Sequence, residues 1–251
     1  MESLKNSFVT SLATPAGLWK TGASMEVPRN KWLVGWRAAK ANLLPGLILQ
    51  ALMLAVLLAY YFSPAFKELL QILAEKKARL GFLYSGVSGV VAGSFIPELM
   101  RVLVFQKGRV NSSNWRNLMF TTPFWGYMSM QVDFFYRLQA QWFGDEATLA
   151  AVIPQVLVDQ FVYTPFVAAP LTVWAYEWRN SGGNWPAGWW KPSYYMDRIA
   201  PTLLANWVVW IPVVSILYTL PETVQIPLFV FALALWVMIF TWMSEERPTT
   251  G

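Results

Sequence analysis

The chain has 251 residues, of which 56% are hydrophobic, 16% aromatic and only 13% charged, and its formal net charge is +5. Soluble domains carry about 25% charged residues, so this composition favours an integral membrane protein folded as one compact domain. The absence of cysteine and histidine excludes disulfides, iron–sulfur clusters and thiol catalysis, and removes the commonest metal ligand and general base. We therefore predict neither a cofactor nor a metal site.

Residues 1–40 form a basic N-terminal arm that lacks the apolar core and cleavage site of a secretory signal. Its first 24 residues are rich in Ser and Thr and contain Lys5 and Lys20, which faintly resembles an organellar transit peptide. An ordinary polar arm is the alternative. Trp32 and Trp36 lie four residues apart on a basic segment and predict an interfacial helix just before a membrane span.

Apolar segments occupy most of the remaining chain and predict an all-α, polytopic membrane helix bundle with about six spans. The spans are predicted at about 41–62, 81–105, 117–141, 148–178, 198–219 and 224–243. We divide the chain into the arm at 1–40, an added span with a surface helix at 41–80, the main bundle at 81–244 and a polar tail at 245–251. In the second span, Ser85, Gly89 and Gly93 recur every four residues and predict a ridge for close helix contact.

Residues 63–80 have the pattern of an amphipathic interfacial helix. Its apolar side is predicted to contain Leu69, Leu70, Ile72, Leu73 and Leu80, opposite Lys67, Glu68, Glu75, Lys76 and Lys77.

Basic residues are unevenly distributed between the two ends of the predicted spans. With six spans, thirteen Lys and Arg residues lie on the side of both termini and four on the other side. This bias predicts that both termini face the matrix, stroma or cytoplasm. Because membrane topology explains the basic residues, and basic clusters alone are weak signals of nucleic-acid binding, we predict no nucleic-acid partner.

Ionisable residues inside the predicted spans are the candidate functional residues. Together with one glutamine they form the predicted polar network: Glu98, Arg101, Asp133, Arg137, Asp159 and Gln160. Glu98 and Arg101 are three residues apart, and Asp133 and Arg137 four apart, so each pair shares one helix face. Such pairs stabilise helix packing whether or not anything is transported, and we favour this structural role over a path for a solute or proton.

The fourth span contains Asp159 without a charged partner on its own helix, together with Pro154, Pro165 and Pro170. Pro165 is the predicted helix kink. Lipid accommodates a bare carboxylate or a broken helix only at high cost. This helix is therefore predicted at the buried centre, with Asp159 held by an arginine, Arg101 or Arg137, or by a hydroxyl of another span.

Residues 179–197 form a Gly- and Pro-containing loop with a high aromatic content. The interfacial aromatic residues are predicted to be Trp185, Trp189, Trp190 and Tyr194, with Tyr195 beside them. A position at the membrane–water interface is our interpretation. A carbohydrate or aromatic-ligand site is the alternative.

Several motifs occur in an order that resembles a known family. They are Gly126 before Phe135-Tyr136-x-Leu138, Asp159-Gln160 four residues before Pro165, Asn206-Trp207-x-x-Trp210 with Pro212 and Pro221, and Trp236 before the closing Trp242-Met243-Ser244. Over roughly residues 82–244 this order resembles the peroxisomal and inner-mitochondrial membrane proteins grouped with the 22-kilodalton peroxisomal membrane protein. The resemblance implies an organellar membrane protein and, as for some members, a weakly selective pore.

We expect a non-catalytic integral protein of an organelle membrane, acting as an accessory or structural subunit of a larger complex such as a mitochondrial inner-membrane assembly. Its expected partners are membrane lipids and other membrane-protein subunits. A small-solute pore or transporter of the resembled family is the alternative function, and plastid and peroxisome are the alternative locations. No common catalytic motif is present, so we predict no enzyme, although Asp133 and Asp159 are the residues a carboxylate-only enzyme would use.

Overall fold

The computed structural model describes residues 31–245, and every regular element in this part of the chain is a helix. The helices are α1 (Lys31–Phe62), α2 (Pro64–Leu80), α3 (Phe82–Phe105), α4 (Ser112–Phe143), α5 (Leu149–Asn180), α6 (Pro192–Tyr218) and α7 (Glu222–Glu245). The all-α prediction is confirmed for these residues. Residues 1–30 and 246–251, with most of the predicted arm and tail, lie outside the described residues. Residues 31–40 are the first turns of α1 and lead into its apolar part without a break.

Four helices are long and apolar enough to cross a membrane: Ala39–Phe62 within α1, and the whole of α3, α5 and α6. The predicted third span is α4, a continuous helix of 32 residues. Its apolar sequence is interrupted by polar residues that are buried in the bundle, such as Asn117 and Asp133. The predicted sixth span is α7, whose apolar part is the shorter stretch Glu222–Met238. Both segments are helices, and their crossing of a membrane stays a prediction.

From α3 to α7, consecutive helices run antiparallel, whereas α1 and α6 lie side by side in the same direction. The Gln50 amide of α1 donates to the Val208 carbonyl at 2.8 Å, and the Tyr61 hydroxyl lies 3.5 Å from the Thr219 carbonyl. Both residue numbers increase together along the contact, which fixes the direction. Helix α1 therefore packs along α6, parallel to it.

Glycine allows α3 and α4 to approach closely. A Cβ atom at Gly89 would overlap the Ser129 side chain, and one at Gly93 would overlap the Trp125 ring. A larger residue at either position would push the two helices apart. The predicted close contact along this ridge is confirmed.

The helix α2 is sharply delimited by its end residues. Ser63 accepts the Phe66 N–H as an N-cap, Pro64 occupies the first turn, and Gly81 ends the helix with φ of +57°, which favours glycine. On one face Leu70 packs into the core between α1, α6 and α7. The apolar side chains that remain exposed on α2 are Leu69, Ile72 and Leu80.

Lys77 was predicted on the charged outer face of α2, and this prediction is wrong. Lys77 is only 3% exposed. The ammonium points between Asp133 of α4 and Glu222 of α7. These acids belong to distant parts of the chain, so the pattern of α2 alone contains no sign of them.

An aromatic core joins α4, α5 and α6 at the centre of the bundle. Phe135 stacks on Tyr163 with ring centroids 4.1 Å apart, and the Tyr136 ring lies 5.1 Å from that of Tyr218. Ile226 of α7 packs against the same cluster. These contacts position Tyr218, whose hydroxyl contacts Asp159.

Candidate functional site

The Asp133 cluster lies where α2, α3, α4 and α7 meet. Asp133 is fully buried and accepts hydrogen bonds from Ser85 Oγ at 2.5 Å and from Arg137 Nε at 3.0 Å. Lys77 Nζ lies 3.4 Å from the same carboxylate and 2.7 Å from Glu222 Oε1. Two acidic and two basic side chains thus balance their charges inside one cluster.

The two basic side chains of this cluster differ in burial. The expected same-helix pair between Asp133 and Arg137 is formed, but the Arg137 side chain is 38% exposed. The Lys77 side chain, which the sequence did not suggest, is 4% exposed. A buried ionic group depends strongly on its partner, so Lys77 is the base whose contact with Asp133 matters more for stability.

The Asp159 cluster lies at the centre of the bundle. The Asp159 carboxylate accepts hydrogen bonds from Tyr218 OH at 2.7 Å, Gln160 Nε2 at 2.9 Å and Thr164 Oγ1 at 3.4 Å. Asp159 itself is 4% exposed. A hydroxyl of α6 is therefore the side chain from another helix that holds it.

The arginines that were candidate partners of Asp159 do not contact its carboxylate. Arg101 pairs with Glu98, and Arg137 pairs with Asp133, in each case on the same helix. An intrahelical acid three or four residues away satisfies each guanidinium without any change in helix packing. The idea that either arginine neutralises Asp159 is therefore wrong.

Buried glutamines extend the Asp159 cluster towards the α4–α5 turn. Gln139 Nε2 donates to Tyr218 OH at 3.1 Å and to the Gln155 carbonyl at 3.0 Å, and Gln155 Nε2 donates to the Gly144 carbonyl at 2.7 Å. The side-chain oxygens of Gln139, Gln155 and Gln160 accept no hydrogen bond from the described residues. The side-chain NH2 groups of these glutamines thus donate hydrogen bonds, whereas their three buried side-chain oxygens accept none from the described residues.

Pro165, the predicted position of a helix kink, lies within a ten-residue π-helical segment, Asp159–Ala168. In a π-helix each N–H bonds the carbonyl five residues earlier, so the partner of the Gln160 carbonyl would be residue 165, a proline without N–H. Trp207 Nε1 of α6 donates to this carbonyl instead, at 2.8 Å. The indole thus replaces the hydrogen bond that the proline cannot make.

The same replacement occurs five residues later, at the Pro165 carbonyl. The N–H of Ala169 still bonds the carbonyl five residues back, so the Pro165 carbonyl would next face residue 170, which is again a proline. The Tyr195 hydroxyl, at the start of α6, donates to this carbonyl at 2.9 Å. Two aromatic donors of α6 therefore satisfy the two carbonyls that Pro165 and Pro170 leave free.

We predict that Trp207→Phe lowers the free energy of unfolding by about 1–3 kcal/mol more than Trp210→Phe does, because it leaves a carbonyl in α5 without a donor. Trp210 lies one turn further along α6, and its ring packs against Phe229 and Trp236. Trp210→Phe therefore serves as the control for the loss of ring volume in Trp207→Phe. Unfolding in mixed detergent micelles measures the difference.

Restoring the backbone donor gives the control for this prediction. In a Pro165→Ala background residue 165 has an N–H that can bond the Gln160 carbonyl, so the additional cost of Trp207→Phe should shrink. An equal cost in both backgrounds would show that the indole acts through packing alone.

The Glu98 cluster lies at the opposite end of the bundle from the Asp133 cluster and joins α3, α4 and α5. The Glu98 carboxylate accepts hydrogen bonds from the Arg101 guanidinium, from Asn114 Nδ2 at 2.7 Å and from Asn117 Nδ2 at 2.9 Å. Arg179 of α5 donates to Asn117 Oδ1. The expected Glu98–Arg101 pair is formed, and the two asparagines three residues apart were the overlooked signal in the sequence.

The three tryptophans among the predicted aromatic residues form a cluster after α5, together with Trp174 of that helix. The Trp189 ring lies 5.2 Å from those of Trp174 and Trp185 and 5.9 Å from that of Trp190. Trp185 and Trp190 are 57% and 68% exposed, so both present large apolar surfaces to the surroundings. The remaining predicted member, Tyr194, donates its hydroxyl to Glu177 at the end of α5.

The six residues predicted as one polar network thus belong to three clusters, each built around one carboxylate. Comparison with protein-family models, curated proteins and solved structures finds no match for this chain. Within residues 31–245 no group of three acidic side chains lies close enough to hold a metal ion. The chemistry that these clusters offer is hydrogen bonding and ion pairing between helices, and the exchange of a proton at a carboxylate.

Proposed function

We propose that this protein is a non-catalytic integral membrane protein that acts as an accessory subunit of a larger membrane assembly. The observation that carries the proposal is the closed centre of the bundle. Gln139, Gln155 and Asp159 are 0%, 2% and 4% exposed, whereas side chains that line an open aqueous lumen would be hydrated. The polar groups of the bundle are used for contacts between its own helices, which is what a scaffold requires.

In this proposal the chain crosses the membrane six times, with α4 and α7 added to the four longer apolar helices. Support comes from the alternating directions of α3 to α7 and from the parallel pair α1 and α6, which are the first and fifth spans in this topology. The end that contains Lys107, Arg109 and Arg116 then faces the matrix, together with both termini. We favour the mitochondrial inner membrane over a plastid or peroxisomal membrane.

The outer surface offers contacts for lipids and partner subunits. Along α1 large apolar side chains such as Leu44, Leu47 and Leu58 are 69%, 51% and 49% exposed. Apolar side chains of α2 and the tryptophans after α5 are exposed as well. An accessory subunit needs exposed apolar surface, because lipid and neighbouring helices both contact it through van der Waals packing.

The proposal predicts that the protein extracted gently from its native membrane migrates with a much larger complex. Native electrophoresis, followed by identification of the chains in the same band, measures this. Purified protein reconstituted into liposomes is expected to pass no small solute. Migration as a monomer after mild extraction, with lipid retained, would contradict the proposal.

A small-solute pore or transporter, as the family resemblance implies, is the second candidate. The observation that favours it is the row of buried glutamines with unused oxygens, which could face a polar solute in an open conformation. Reproducible conductance that changes in Asp159→Asn would establish this function in place of the first. Conductance that is unchanged in this variant would indicate a contaminant.

A further inference from the structure

An exposed basic surface lies at the end of the bundle that contains the Glu98 cluster. Lys107 and Arg109 are exposed in the turn between α3 and α4, and Arg116 is exposed in the second turn of α4. Among residues 31–245, no carboxylate oxygen lies within 4.0 Å of a nitrogen of these three side chains. The described part of the chain therefore leaves these three charges without an ionic partner.

The turn that contains Lys107 and Arg109 has a hydrogen-bonded backbone. The Gly108 N–H bonds the Val102 carbonyl at 2.8 Å, and the Arg109 N–H bonds the Gln106 carbonyl at 3.0 Å. Gly108 has a φ of +80°, a conformation that favours glycine and reverses the chain towards α4. The two basic side chains thus start from a defined backbone, which lowers the entropy that is lost when they bind a ligand.

Arg179 of α5 lies beside Arg116 of α4. The two guanidinium groups are near enough for their charges to repel each other. Arg179 is held in this position because it donates to Asn117 Oδ1 and because its guanidinium lies 5.0 Å from the centroid of the Phe120 ring. A phosphate group can accept hydrogen bonds from two guanidinium groups at once, and its negative charge would offset their repulsion.

Exposed apolar side chains border the basic surface. Trp115 and Met119 of α4 are exposed and lie four residues apart, so they share one face of the helix, and Arg116 lies at the edge of that face. Val110, next to Arg109 in the turn, is exposed as well. A free phosphate ion would use the basic side chains alone, whereas an amphiphilic molecule would use both kinds of surface. The combination favours a lipid with a negatively charged headgroup.

We propose that this surface binds an anionic phospholipid. Its phosphate contacts Arg116 and Arg179, the two basic residues of the turn surround the headgroup, and an acyl chain covers Trp115 and Met119. The inference rests on the proposed function and deepens it, because it names the lipid class that a subunit embedded in the membrane would hold. Basic residues at a membrane interface also orient a chain, but orientation requires no particular lipid. A preference for one headgroup therefore distinguishes the two roles.

Native mass spectrometry of the purified full-length protein tests the inference. The protein is equilibrated in micelles that contain equimolar phosphatidylglycerol and phosphatidylcholine with identical acyl chains, so that only the headgroup differs. We expect phosphatidylglycerol to be retained preferentially. In Arg116→Gln this preference should fall about five-fold, the contribution of one basic residue to the attraction of an anionic lipid. Arg79→Gln is the matched control, because Arg79 is exposed at the opposite end of the bundle and its loss should leave the preference unchanged.

A charge-conserving variant and a competing anion complete the test. Arg116→Lys should keep most of the preference, since it retains the charge. Equal retention of the two lipids by the native chain, or an equal loss in Arg116→Gln and Arg79→Gln, would overturn the inference. Displacement of the bound lipid by millimolar inorganic phosphate would also overturn it, because it would indicate a site for free anions. A protein that cannot be reconstituted into liposomes at all would instead contradict the proposed function.

Discussion

Asp133→Asn is expected to lower the free energy of unfolding by roughly 3–5 kcal/mol, the cost of leaving a buried charge without its partner. The Lys77 ammonium would keep only Glu222, whose side chain is 25% exposed, and it would face a neutral amide on its buried side. Four helices meet at this cluster, so the loss affects the packing of α2 against the rest of the bundle. Unfolding of the purified protein in mixed micelles, with an increasing fraction of denaturing detergent, measures the effect.

Arg137→Gln is the matched control, because it removes the other base that contacts the same carboxylate. The Arg137 side chain is 38% exposed, and an exposed ion pair contributes less than about 1 kcal/mol. In a Lys77→Met background, Asp133→Asn should cost less than in the native chain, since no buried ammonium is then left behind. Equal costs in the two backgrounds would contradict the coupling between these residues.

Gly89→Leu is the second substitution with a large expected effect, a destabilisation of about 3 kcal/mol from overpacking. A Cβ at this position already overlaps Ser129 and lies 2.8 Å from the Trp125 carbonyl, which belongs to the backbone and cannot rotate away. The α3 and α4 helices would have to separate, which also lengthens the hydrogen bond between Ser85 and Asp133. Thermal unfolding of the purified protein measures the change.

Gly126→Ala is the control for this prediction, because it lies on the same interface. A Cβ at Gly126 meets Val90 Cγ2 at 3.3 Å, the end of a side chain that can adjust by a few tenths of an ångström. We expect a much smaller decrease in thermal stability for this variant. Similar losses for both variants would show that the interface does not depend on the close approach at Gly89.

The features of this bundle that follow from local sequence were predictable. Long apolar runs located the four helices that are long and apolar enough to cross a membrane. The pairs Glu98–Arg101 and Asp133–Arg137 follow from helical spacing alone. The glycine ridge of α3 was predictable for the same reason, since its residues recur every four positions.

The contacts that depend on which helices become neighbours could not be predicted. Lys77 has the spacing of a solvent-facing residue, and its acids lie 56 and 145 residues further along the chain. Tyr218, near the end of its helix, has the position of an interfacial aromatic residue rather than of a ligand for Asp159. Pro165 and Pro170 each remove a backbone donor from α5, but the sequence does not indicate that Trp207 and Tyr195 replace them.

The parallel pairing of α1 with α6 has a consequence for biogenesis. The side chain of Gln50 donates to backbone carbonyls of α6, which is synthesised about 150 residues later. In the six-span topology proposed above, α1 therefore enters the membrane with a polar amide whose acceptors are not yet synthesised. A chain that terminates before residue 192 would lack these acceptors altogether, which is costly for an amide that faces lipid.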